Sequence, residues 1–259
     1  MKIVIVGSGT GVPLSDRGSP CLLLMASGEY TLFDLGPGSL RQLLRIGIAH
    51  QRIDRVFFTH FHPDHTADLV HLLFATRNPR VLETRKPFLL SGARGLSEFL
   101  KKMQKAYGKW LRLPDRLVEV DELEIAKPDR RDFKGFSVFS QPLRHTSNSL
   151  AYRVEEDSGA SIVYSGDTGY CEELIEFAMY ADLLILECSF PEQYKVDSHL
   201  TPALAGRIAS RAKARKLLLV HLYPEVLGTD ISGQCRTEYD EELIIGRDLL
   251  QLEVGEERR

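Results

Sequence analysis

An α/β architecture, with sheets inside and helices outside, follows from two observations. Ten short β-rich runs recur along the 259 residues, and many are continuous apolar runs, which suits strands covered on both faces. Helical patterns of ordinary globular length lie between several of them. No Pro/Gly/Ser linker and no repeat of solenoid period divides the chain, so residues 1–259 read as a single domain.

The strand runs are 2–6, 21–25, 30–34, 55–59, 87–90, 136–143, 149–154, 161–165, 182–187 and 216–221. The first, Lys2-Ile3-Val4-Ile5-Val6, meets Gly7 too soon to be a signal peptide, which makes the cytoplasm the expected compartment. Helical spacing fits 38–46, 66–77, 170–180, 201–213 and 237–251. Thr201-Pro202 has the form of an N-cap followed by proline at the first helical position. In 93–116, Leu96, Phe99, Leu100, Met103 and Tyr107 follow helical spacing beside a dense basic face that includes Lys101, Lys102, Lys105 and Lys109. Charge runs are usually solvated faces, and the alternative is a guide for an anionic substrate.

Composition excludes several classes. Hydrophobic residues make up 43% and charged residues 27% of the chain, which excludes disordered and fibrous proteins. No apolar run approaches the roughly 20 residues of a membrane-spanning helix. Cys21, Cys171, Cys188 and Cys235 stand far apart, with no Cys-x-x-Cys pair, so neither a disulfide framework nor a thiolate zinc knuckle is expected. The net charge of −3 does not mark a nucleic-acid binder, although a sum can hide a local basic patch.

The chemistry is concentrated in Thr59-His60-Phe61-His62-Pro63-Asp64-His65, directly after a strand run. Imidazoles this close repel when protonated and lack partners when buried and neutral. A divalent cation removes both problems, since imidazole and carboxylate form a usual zinc ligand set. His60 and His62 alternate in an extended turn and can face one ion, while Asp64 and His65 can face a second. His145, Asp167 and His221 each follow a further apolar run, so the ligand-type residues can converge on one rim of the sheets.

This pattern resembles the metallo-β-lactamase superfamily, whose signature is H-x-H-x-D-H followed by His, Asp and His ligands in the same order. The resemblance spans the chain from the first strand to His221. It implies the αββα four-layer sandwich, two mixed β-sheets face to face with helices outside. It also implies one metal held by His60, His62, His145 and Asp167, and another by Asp64, His65, Asp167 and His221, with Asp167 bridging. The superfamily's true β-lactamases carry a cysteine where this chain has Asp167, and its flavodiiron-type members a glutamate where it has His62. Hydrolysis is therefore favoured over oxygen chemistry. The ions are expected to be two zincs, with manganese or iron as alternatives.

Three further features are similar to the ribonuclease Z branch. Gly7-Ser8-Gly9-Thr10-Gly11-Val12-Pro13, with Arg17 after it, is similar to the G-T-G-x-G-x-P…R opening of those enzymes. Leu186-Glu187-Cys188-Ser189-Phe190 resembles their H-E-A-T-F segment, and Ser198-His199-Leu200-Thr201 their H-x-T element. The resemblance implies a Glu187–His199 pair in which His199 protonates the leaving 3′-oxygen, with Asp64 orienting the attacking water or taking its proton. A phosphodiester substrate, RNA or a small nucleotide, and a homodimer are implied with it. One departure stands out. The long tRNA-gripping arm that those enzymes carry between the third histidine and the bridging aspartate has no room between His145 and Asp167. That favours smaller phosphodiesters, cyclic nucleotides included. Hydrolysis of a carboxylic ester, lactone or thioester on the same site is the competing enzymatic reading. A metal-binding accessory protein is the non-catalytic one.

Overall fold

The computed structural model describes residues 1–255. Its strands are β1 Lys2–Gly7, β2 Cys21–Ala26, β3 Glu29–Phe33, β4 Arg55–Phe58, β5 Phe88–Ala93, β6 Val118–Leu123 and β7 Asp129–Phe133. There follow β8 Phe136–Pro142, β9 Leu150–Glu156, β10 Ser161–Tyr164, β11 Leu183–Glu187, β12 Lys216–Val220, β13 Glu242–Ile245 and β14 Leu250–Glu253. They form two sheets of seven strands, ordered β14-β1-β2-β3-β4-β5-β6 and β13-β12-β11-β10-β9-β8-β7. Both sheets are mixed. In the first, pairing is antiparallel from β14 to β3 and parallel from β3 to β6. In the second, it is antiparallel from β7 to β10 and parallel from β10 to β13.

The continuous apolar runs follow from these layers. Ile3 and Ile5 of β1 point between the sheets, where they join Phe33, Phe57, Tyr152 and Ile185 in one core. Val4 and Val6 point the other way, into a second core beneath the helices Ser39–Arg45, Asp68–Thr76 and Leu96–Tyr107. On the far side, Leu184, Leu186, Leu217 and Leu219 pack beneath Glu172–Phe177 and Pro202–Arg211. A strand with helices on one face and a sheet on the other has no polar face, so its alternation disappears. This is the αββα sandwich.

The inner core also contains a polar anchor. The buried Tyr152 hydroxyl donates to the Phe58 carbonyl at 2.6 Å, tying β9 across to the end of β4. Tyr152→Phe should lower stability by about 1–3 kcal/mol in urea unfolding, because it strands a buried carbonyl. No measurable change would mean that the carbonyl finds another donor.

The region expected to be helical at 237–251 differs. The last helix is Ile231–Arg236, and the chain then forms β13 and β14. β13 pairs with β12 in one sheet and β14 with β1 in the other, so tertiary pairing overrides the local helical spacing. At the crossing, Gly246 donates its N–H to the Leu219 carbonyl at 2.7 Å, and a Cβ there would meet that oxygen at 2.6 Å. Thr201 caps its helix as expected, its hydroxyl accepting from Leu204 N–H. All four cysteines are free and buried. No helix among the described residues is long and apolar enough to cross a membrane.

Candidate metal centre

Every predicted ligand arrives at one rim. His60, His62, Asp64 and His65 follow β4, while His145 lies three residues beyond β8, Asp167 three beyond β10 and His221 directly after β12. Pro63 opens the short turn Pro63–Thr66, which carries Asp64 and His65 to the mouth of the site. Two groups of candidate donor atoms result, with all atoms of each within 4.8 Å of one another. One is His60, His62, His145 and Asp167; the other is Asp64, His65 and His221. Asp167 lies between them. Its Oδ1 is 3.3 Å from His65 Nε2 and 3.4 Å from His221 Nε2, and its Oδ2 is 3.9 Å from His60 Nε2 and 3.8 Å from His145 Nε2.

Backbone shape matters at the residue before Asp167. Gly166 has φ of 58°, and a Cβ there would lie 2.6 Å from Thr59 Cβ. Only glycine meets both demands, a left-handed turn and contact with the residue preceding His60.

A divalent metal fits the atoms left over. The Nε2 atoms of His60, His65 and His221 and Oδ1 of Asp167 are buried without a hydrogen-bond partner. Unpaired buried polar atoms are costly, and four facing one another require a cation. The opposite ring nitrogens are occupied. Nδ1 of His65 is 2.8 Å from Asp34 Oδ2, that of His145 3.0 Å from the Ser198 carbonyl, and that of His221 2.9 Å from Ser189 Oγ. His60 Nδ1 lies 3.0 Å from the Thr59 hydroxyl. Such outer partners orient each ring so that Nε2 faces inward.

Protonation cannot replace the cation uniformly. Burial, then the neighbouring His65, push the His60 pKa down to about 2. Burial also opposes charge on His65, but Asp167 and Asp34 outweigh it and raise its pKa. Asp167 stays ionised despite burial, because His221 and His65 hold its pKa well below the carboxylate range. The cluster is a divalent metal-binding site.

Beside it lies the Glu187–His199 pair. Glu187 is buried, with Oε1 2.8 Å from His199 Nδ1. The carboxylate also accepts from Thr168 N–H, Leu200 N–H and the Ser189 hydroxyl. Burial disfavours the charged His199 ring, but the hydrogen bond and charge of Glu187 prevail, so its pKa is raised. Donor atoms of His199, Asp167 and His221 also lie within 4.8 Å of one another.

Three positioning residues escaped the sequence reading. Asp34, fully buried, accepts from Thr59 N–H and from the Tyr164 hydroxyl besides holding His65. Thr59 Oγ1 joins Asp34 to His60. Ser189 Oγ donates to Glu187 Oε2 at 2.6 Å and holds His221, so one hydroxyl connects the Glu187–His199 pair to the His/Asp cluster. Asp34 ends a strand run, as the ligands do, and that was the one signal available. The chain between His145 and Asp167 is a turn, β9, a second turn and β10, which leaves no arm.

Comparison with known proteins agrees with this geometry. Residues 30–222 match the β-lactamase superfamily domain. Ribonuclease Z of Pyrococcus horikoshii is 29% identical over 274 residues, covering 86% of this chain and 87% of the relative. Ribonuclease Z of Mycobacterium marinum is 29% identical, with 98% and 99% covered. Among solved structures, the metallo-β-lactamase fold protein YhfI from Bacillus subtilis superposes with a TM-score of 0.84 at 24% identity, covering 97% of this chain and 98% of its own. The short form of human tRNase Z gives 0.79 at 23% identity, with 98% and 99% covered. With three quarters of its length matching that domain and ribonucleases Z aligned nearly end to end, the chain belongs to the β-lactamase superfamily, on its ribonuclease Z-like branch.

Proposed function

We propose that this protein is a dinuclear zinc phosphodiesterase of ribonuclease Z type, a single cytoplasmic domain that works as a homodimer. His60, His62, His145 and Asp167 would hold one ion, and Asp64, His65, Asp167 and His221 the other. When bound, such a pair supplies Lewis-acid polarisation of a phosphoryl oxygen and activation of water. The chain's own residues do the rest. Asp64 Oδ2, 3.6 Å from His221 Nε2 and 3.8 Å from His65 Nε2, stands where it can orient the attacking water and take its proton. Glu187 fixes Nδ1 of His199 and leaves Nε2 to hand a proton to the departing 3′-oxygen. Phe190 and Tyr223 stack on each other at 4.7 Å beside the His199 ring.

The observation that carries this reading is the Glu187–His199 pair beside the cluster. An alkoxide leaving group needs a proton, whereas a thiolate does not. The four free, buried thiols fit the reducing compartment named here. Metal analysis and a substrate panel test the reading together. The protein as purified should contain close to two zincs per chain and cleave a phosphodiester in preference to a thioester. One ion per chain, or a preference for the thioester, would sink it.

A further inference from the structure

The crossing from β13 to β14 brings Asp248 back against the loop between β1 and β2, residues 8–20. Its carboxylate accepts four hydrogen bonds. Oδ1 takes the Ser8 N–H at 2.9 Å and the Ser8 hydroxyl at 2.8 Å. Oδ2 takes the Gly18 N–H and the Gln42 side-chain amide, both at 2.7 Å. Arg17 Nη1 braces the same junction, donating to Ser8 Oγ at 2.8 Å and to the Gly246 carbonyl at 2.6 Å. Ser8 and Gly18 lie on the two stems of the loop, which Gly9 closes by donating its N–H to the Gly18 carbonyl at 2.8 Å. One carboxylate therefore clamps both stems.

The clamped loop bears on two of the three residues in the second donor group, Asp64, His65 and His221. A Cβ on Gly11 would lie 3.4 Å from both Cβ and Oδ2 of Asp64, so the loop backbone packs directly against that side chain. At the stem, the Ser8 carbonyl accepts from Leu222 N–H at 3.2 Å. Leu222 follows His221, whose φ of 55° is left-handed, a conformation that the surroundings of a non-glycine residue must hold. The first donor group is oriented elsewhere, His60 by the Thr59 hydroxyl and His145 by the Ser198 carbonyl.

We propose that Asp248 is a positioning residue for the second metal ion, setting its affinity by holding loop 8–20 against Asp64 and the His221 turn. The proposal rests on the dinuclear reading and assigns part of that centre's support to the far end of the chain. A carboxylate is required because all four partners donate. Asparagine has the same shape but only one acceptor oxygen, and its amide would face either the Ser8 pair or the Gly18 and Gln42 pair with N–H against donors. Asp248→Asn should therefore open the clamp although it removes no bulk.

Equilibrium dialysis against zinc buffers reads occupancy per chain, and two backgrounds separate the ions. His60→Ala leaves the second ion, and His221→Ala leaves the first. In His60→Ala, adding Asp248→Asn should raise the free zinc needed for half-occupancy by roughly tenfold, the lower range for loss of an outer partner. In His221→Ala, the same addition should change nothing. Gln42→Ala removes one donor of the four and leaves both stems bound, so neither ion should shift. Ser8→Ala deletes only the hydroxyl and should move the second ion in the same direction by less. It carries the test if Asp248→Asn fails to fold.

Wild-type protein that saturates at one zinc per chain would overturn the dinuclear reading, and the clamp's role with it. Two zincs in the wild type, with the second ion unmoved by both Asp248→Asn and Ser8→Ala, would overturn the clamp alone. An equal shift in both backgrounds would make Asp248 a general support of the rim and overturn its assignment to one ion.

Discussion

Asp167→Ala should strip the protein of most of its metal and lower phosphodiester hydrolysis by well over ~10²-fold, the upper range for loss of an outer-sphere partner. Both carboxylate oxygens face imidazoles, Oδ1 towards His65 and His221 and Oδ2 towards His60 and His145. Its removal therefore leaves four histidines without the carboxylate they share, with each ion losing a donor. His60→Ala touches one group alone, so it should release about one ion per chain where Asp167→Ala releases nearly two. Elemental analysis after gel filtration reads the ratio, and chelated wild-type protein serves as the folded, metal-depleted reference. Full occupancy in Asp167→Ala would remove the bridging assignment. Equal loss in both variants would instead mean that the ions bind only as a pair.

The cluster was legible in sequence because its chemistry has no good alternative: three histidines and an aspartate within six residues cannot pack as core. The outer residues were not legible for the opposite reason. Asp34, Thr59 and Ser189 are ordinary polar residues until the fold brings His65, His60 and His221 against them. A similar logic governs the strands. The ten interior strands appeared as β-rich runs, many of them continuously apolar, whereas β6, β7, β13 and β14, the four sheet edges, did not. Edge strands face water along one side, and β6 and β7 read Val-Glu-Val-Asp-Glu-Leu and Asp-Arg-Arg-Asp-Phe, with charges at most positions. Such charges blunt edge-to-edge pairing between molecules, and the same charges hide the strand from a hydrophobicity-based reading.

Replacement of His199 by alanine should cost roughly 10²–10⁴ in rate on a substrate with an alkoxide leaving group, the usual contribution of a positioned general acid. The loss should shrink sharply when the leaving group is a nitrophenolate, which departs without a proton. Metal content should hold, because Nδ1 of His199 is committed to Glu187 and the seven proposed ligands remain. The pH profile supplies a second reading. His199 works protonated, so the rate should fall as pH rises through its pKa, which Glu187 raises against the opposing effect of burial. Glu187→Gln keeps the shape and removes the charge, so that descending limb should move to lower pH while the nitrophenyl ester shows no such limb. A purely structural role for the pair would slow both substrates equally and leave the limb in place. Loss of metal in His199→Ala would be the more damaging result, since His199 also lies within 4.8 Å of donor atoms of Asp167 and His221 and would then count as a ligand.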